Sequence, residues 1–440
     1  AWAAPHLLLY GSVAVVGLGV VAWGLLVLYW TRSLKASLSY RPVLTAGLGA
    51  LGALVAAPID AGWHAAYGSD AVLWSPPHML VVFASVTLTL GILAGLPPGA
   101  RALAIAALVL LLANAEAVVF EYEADVPQFT EVLYLPILLA ALLFVALAVE
   151  RLVGGRAPVV RVVCGYVVVR LAIAAGLAVM GRSTPDLPIA VLGLAAWDLP
   201  LRNTAHKALA AATAVSGLAW LASVAGLASQ PASALAITAA PVSLALIAAL
   251  LLTPRRTCVV AAVMALGMSA PLLQQERAEA HDPGQGEAVT TIVLSATLSG
   301  RQITVTATPA GHCEDLQPHQ LVARRAGDTI TGRLTRVGTT SDASCSFVGK
   351  ITVPADGRWF TYVEFTHDGE SVEAWLPLDA GSDATLTQSR DLYLPAGAGD
   401  SVSVAQVGYG GLIYLAGFAL LVVGLGAARH SRIDPDPLAS

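Results

Sequence analysis

Apolar residues come in runs of about twenty, separated by short polar stretches, as far as residue 273 and again near the C-terminus. The runs cover 7–30, 43–64, 78–96, 102–121, 130–149, 158–180, 187–201, 206–228, 233–252, 257–273 and 408–428. Twenty helical residues cross the ~30 Å hydrocarbon core of a bilayer, so the pattern predicts about eleven transmembrane helices. The 187–201 run is the weakest, being short and interrupted by Pro188 and Asp198. The first run is too long for the apolar core of a cleavable signal peptide, and no cleavage site follows it.

Between residues 274 and 403 the period changes from helical to two. TTIVLSATL, RQITVTATP, DTITGRLTRV, SCSFVGKITV, RWFTYVEFT and VEAWLPL alternate polar with β-branched or aromatic residues between Gly, Asp and Pro turns. This predicts an antiparallel β-sandwich of about seven strands. The expected fold class is a polytopic α-helical membrane protein with an extracytoplasmic β-sandwich inserted before the last helix. Its divisions are a membrane domain at 1–273, the sandwich at 274–403, and a final helix and tail at 404–440.

Basic residues set the expected orientation. Arg32, Lys35 and Arg41, then Arg101, then Arg151, Arg156 and Arg161, then Arg202 and Lys207, then Arg255 and Arg256, and finally Arg429 and Arg432 fall on one side when the runs alternate. Arg182 is the exception. That side is expected to be cytoplasmic in a plasma (inner) membrane, with the N-terminus outside and the C-terminus inside. Composition agrees with the class: of 440 residues 56% are hydrophobic and 12% charged, and the mean hydropathy is +0.72. Membrane lipid is the implied surrounding. The net charge of −5 offers nothing to nucleic acid.

The stretch PIDAGWHAAYGSDAVLWSPPH, residues 58–78, places polar residues between two expected spans. A helix running through Pro58 to about Tyr67 puts Asp60 and His64 one turn apart on one face. Ser75 followed by Pro76 reads as an N-cap and first helical position, which places His78 in the first turn of the next helix. One carboxylate and two imidazoles are therefore expected to converge at the outward rim of a helical hairpin, a donor set for copper, zinc or iron. The alternative is a polar membrane surface with Trp63, Tyr67 and Trp74 as interfacial anchors.

Further along, Glu116 and Glu123 share a face, and Glu116 lies below the expected membrane boundary, where an ionised group is paired or functional. Arg170, near the middle of the sixth run, is its expected partner. The pair is either a structural ion pair or part of a route for proton transfer through Glu116 and Glu123. Glu121, Asp125 and Glu131 read as solvated, or as further oxygen ligands. In the sandwich, Cys313 and Cys345 are expected to form a disulfide under oxidising conditions, a thiolate metal site being the alternative. His281, His312 and His319 form a possible secondary metal set, with His312 and His319 on one loop.

Asp60-x3-His64-x13-His78 resembles the metal-ligand pattern of the C-type membrane subunit of particulate methane and ammonia monooxygenases. That family carries Asp-x3-His-x12-His at one copper site and Asn-x3-His-x13-His at a neighbouring one. This chain has the Asp of the first and the spacing of the second over about twenty residues. The sandwich is similar in kind to exported copper-carrier and cupredoxin-like domains, although it lacks their blue-copper ligand set. The resemblance implies copper as the cofactor, a small apolar substrate and oxidation by a monooxygenase or its metal-bearing subunit. It also implies other subunits of a membrane complex. Copper capture, transport or delivery for oxidase assembly is the alternative, and a structural subunit with one stabilising metal is a third reading.

Overall fold

The computed structural model describes residues 4–67, 73–97, 99–123, 131–153, 155–179, 187–228, 230, 232–238, 286–311, 315–325, 328–337, 345–395 and 404–429. Its helices are α1 (Ala4–Thr31), α2 (Leu34–Ser39), α3 (Arg41–Tyr67), α4 (Pro76–Gly95), α5 (Arg101–Glu116), α6 (Phe120–Glu123), α7 (Tyr134–Leu152), α8 (Pro158–Val179), α9 (Thr204–Val224) and α10 (Val404–Arg429). Among the described residues eight helices are long and apolar enough to cross a membrane, of the eleven expected. The expected spans at 233–252 and 257–273 lie outside the described residues beyond 238.

The 187–201 run corrects the expectation in kind. It forms a 3-10 helix, Ile189–Asp198, instead of an α-helical span. At about 2.0 Å rise per residue those ten residues reach about 20 Å, short of a bilayer on their own. The segment nevertheless packs against α8. Its start lines a cavity with Glu123 and Tyr134, and Asp198 at its end accepts a 2.7 Å bond from the Val160 amide in the first turn of α8. The Asp that interrupts the apolar run is thus a cap for the neighbouring helix. Gly193 permits the closeness of this segment to α9, since a Cβ there would strike the Val215 backbone. At the same end of the bundle, Lys207 at the start of α9 pairs with Glu150 near the end of α7 at 2.7 Å.

Small residues bring α3 and α4 together. Ala46, Ala50, Ala53 and Ala56 are buried on α3, and neither Gly49 against Leu88 nor Gly91 against Ala46 leaves room for a Cβ. Such contacts let helix backbones approach where no hydrophobic driving force exists between helices and lipid. Although α10 follows the β domain in sequence, it packs on α4, with the rings of Phe83 and Phe418 4.9 Å apart. Apolar residues such as Val15, Leu18, Val168, Ile173, Leu412 and Leu415 remain exposed on α1, α8 and α10, as lipid-facing surfaces require.

The β domain is a closed barrel of eight antiparallel strands, not a sandwich of seven. They are β1 (Gly286–Ser299), β2 (Gln302–Pro309), β3 (Leu316–Arg325), β4 (Asp328–Val337), β5 (Ser346–Thr352), β6 (Gly357–His367), β7 (Glu370–Ala380) and β8 (Ala384–Pro395), in the spatial order β1-β2-β5-β4-β3-β6-β7-β8. The closure has a physical cause in β1. This 14-residue strand pairs with β2 on one edge and with β8 on the other, leaving no open edge. The interior is filled by Ile292, Leu294, Ile303, Phe347, Trp359 and Phe365 among others. Cys345 is buried among them and disulfide-bonded. Its expected partner Cys313 lies outside the described residues.

Candidate functional site

The hairpin ends form as the sequence predicts. Helix α3 runs through Pro58 to Tyr67, and α4 starts at Pro76 after an extended Ser75. Ser75 sets the backbone geometry alone: its hydroxyl makes no cap bond and has no partner among the described residues. The structure brings Asp60 of α3 and His78 of α4 together, with Nε2 of His78 3.1 Å from Oδ1 of Asp60. The carboxylate side chain is 9% exposed and the imidazole 21%. His64 stands one turn beyond Asp60 on α3, but its side chain lies outside the described residues.

Two helices and a turn hold the lead-in to α4. The amide of Leu73 donates to Glu121, the indole of Trp74 donates to the carbonyl of Val118 at 3.2 Å, and the Tyr414 hydroxyl of α10 donates to the carbonyl of Trp74. Glu121 is therefore buried instead of solvated, and it anchors the hairpin. Asp125 and the side chain of Glu131 lie outside the described residues. The start of α4, which carries His78, is thus tied to α6, to the 3-10 turn Ala117–Val119 and to α10.

Deeper in the bundle, Arg170 of α8 faces both predicted carboxylates. The expected pairing with Glu116 is the looser one, at 3.9 Å. The guanidinium approaches Glu123 at 3.1 Å and stacks over the Phe120 ring at 5.0 Å. The reason lies in the 3-10 turn Ala117–Val119, which interrupts the helix between the two glutamates and carries Glu123 back towards α8. Tyr166, one turn before Arg170, lies beside Glu116 and was not anticipated. Glu123 also borders a cavity of about 10 Å³ with Tyr134, Ala190, Ala222 and Gln230, about the room one water needs. Gln230 closes its far side by donating to the carbonyl of Tyr122 at 2.8 Å.

No family model, curated protein or solved structure matches this chain.

The secondary metal set is not assembled among the described residues. His319 lies on strand β3, not on a loop with His312, because a bulge between Pro318 and Gln320 carries the Pro-His pair into the sheet. It is exposed. His281 and His312 lie outside the described residues, and no group of three or more His, Cys, Asp or Glu with metal-holding geometry occurs among those described.

A polar row the sequence reading missed crosses the barrel wall. Gln320, Glu364, Glu373 and Tyr393 are successive register partners on β3, β6, β7 and β8, on the face opposite the apolar core. Glu364 is satisfied by Gln320 at 2.8 Å and Arg324 at 3.3 Å. Glu373 is fully buried, takes only a 3.3 Å bond from the Tyr393 hydroxyl, and leaves Oε2 without a partner among the described residues. Burial pushes its carboxyl up to about 8, the Glu364 charge adding to this while Arg324 and Tyr393 oppose it. Tyr362 and Trp375 lie next to the row, capped by the guanidinium groups of Arg324 at 4.9 Å and Arg390 at 5.0 Å. The only sequence signal for the row was a Glu at an outward position of each of two adjacent strands.

Proposed function

We propose that this chain is a membrane metal protein whose α3–α4 hairpin binds one ion, copper by its resemblance, through Asp60, His64 and His78. The observation that carries the reading is the 3.1 Å approach of a carboxylate and an imidazole from two different helices. Two donors each about 2.1 Å from one ion stand about 3.0 Å apart in square geometry and about 3.4 Å apart in tetrahedral geometry, and the observed separation falls between. His64 on the adjoining turn supplies a third donor, which leaves a position for substrate, as catalytic sites do. The bound ion would supply redox chemistry. The chain's own residues hold and orient it: Asp60 neutralises part of its charge, Trp74 and Tyr414 fix the hairpin, and the neighbouring apolar helices admit a small lipid-soluble substrate. In this reading the hairpin faces the extracytoplasmic side and other subunits complete the complex.

Measuring metal content on the purified full chain tests the reading. One equivalent of copper is expected in the wild type, falling at least tenfold in Asp60→Ala, His64→Ala and His78→Ala. Unchanged content in all three, with intact folding by circular dichroism, would overturn the site. Copper uptake into proteoliposomes without oxidation of any small apolar substrate would move the assignment to copper delivery.

A further inference from the structure

Glu116 is a fully buried carboxyl, 0% exposed. Neither of its oxygens receives a hydrogen bond among the described residues. The titratable groups around it are Glu123 from the α6 turn and Arg170 and Tyr166 from α8, while α4 and α7 contribute apolar residues to the surrounding core. Two ionised carboxylates in that setting would share a single cation, with the Tyr166 hydroxyl as the other neighbouring donor to offset the hydration Glu116 has lost. The one neighbouring guanidinium is 3.9 Å away and lies closer to Glu123, at 3.1 Å.

We infer that Glu116 carries a proton, which it donates in a hydrogen bond to Glu123, and that this carboxyl–carboxylate pair with Arg170 is a proton-binding site within the bundle. One O–H stays on Glu116, one carboxylate stays on Glu123, and the guanidinium balances that single negative charge. Proton sharing leaves one negative charge for the one guanidinium and lets Glu123 keep its short contact with Arg170. The water-sized cavity beside Glu123, which Tyr134 and Gln230 also line, is the side from which a proton enters or leaves. The site is independent of Asp60 and His78 and stands whether or not the hairpin binds metal.

Infrared spectroscopy of the full chain in lipid nanodiscs tests this, with Glu373→Gln as the background so that the barrel's own raised carboxyl does not contribute. At neutral pH one carboxylic acid C=O band, sensitive to deuterium exchange, is expected and is absent after Glu116→Gln. In Glu123→Gln the same band is also expected to vanish, because Arg170 then serves Glu116 alone and the carboxyl ionises. A purely structural ion pair would leave no such band in the background protein. Its absence there, or its persistence in Glu116→Gln, overturns the inference. If Glu116→Gln fails to fold, the Glu123→Gln result decides: loss of the band supports proton sharing and persistence refutes it. Loss of the background band on adding sodium chloride at fixed pH also refutes it, since the site would then hold a monovalent cation.

Discussion

Replacing Glu373 by Gln isolates one buried charge in the barrel. The folded carboxyl holds its proton up to about 8, against an ordinary 4.5. Between those values the folded chain keeps a proton that the unfolded chain has released. Stability is therefore fully present below the lower value, falls as pH rises, and levels off above the upper one. Each pH unit in the window costs about 1.4 kcal/mol, so going from about pH 5 to about pH 7 removes about 3 kcal/mol. The side chain is fully buried, so solvent screening does not reduce this much. A Gln of the same shape carries no charge at any pH, and its barrel loses this slope. Hydrogen exchange read on peptides from 357–395 of the full chain, corrected for intrinsic rates, measures the opening free energy. Other titrating groups contribute equally to both proteins and cancel in the difference. Equal slopes for wild type and Glu373→Gln would refute the reasoning, because burial would then not be holding the proton.

Two further outcomes follow from packing and covalent structure. Gly91→Val drives a side chain into the backbone of Ala46; it is expected to destabilise the α3–α4 pair by about 1–3 kcal/mol and to lower metal content with it, as thermal melting and metal measurement on one sample will show. Peptide mapping without reductant is expected to join Cys345 to Cys313, and Cys345→Ser is expected to weaken the barrel by about 3–4 kcal/mol in the chain-entropy model; a link from Cys345 to any other cysteine would refute the pairing.

What the sequence disclosed was mostly local. The end of α3 and the start of α4 at Pro76 depend on helix period and capping, which operate within a turn or two. Six strands showed their alternation for the same reason. Strands β3 and β8 did not, and each has a cause. β3 contains Pro318 and an exposed His319 beside a bulge, while β8 sets Gln388 and Arg390 opposite Leu294 and Ile292, which breaks its apolar alternation between Leu386 and Leu392. The missing two strands hid the closure, because a barrel depends on β1 meeting β8 almost a hundred residues later, and strand period carries no information about edges. The same division holds among the charged residues. Period alone put Glu116 and Glu123 on one face, but the 3-10 turn between them decided which carboxylate reached Arg170. Glu121 looked like a surface residue because its partner is a backbone amide 48 positions away, and no side-chain pattern announces a backbone donor. Where a partner comes from a distant element, residue type and spacing fix only which groups are available. The fold chooses among them, and that choice is what gives Arg170 to Glu123 at 3.1 Å and leaves Glu116 at 3.9 Å from the same cation.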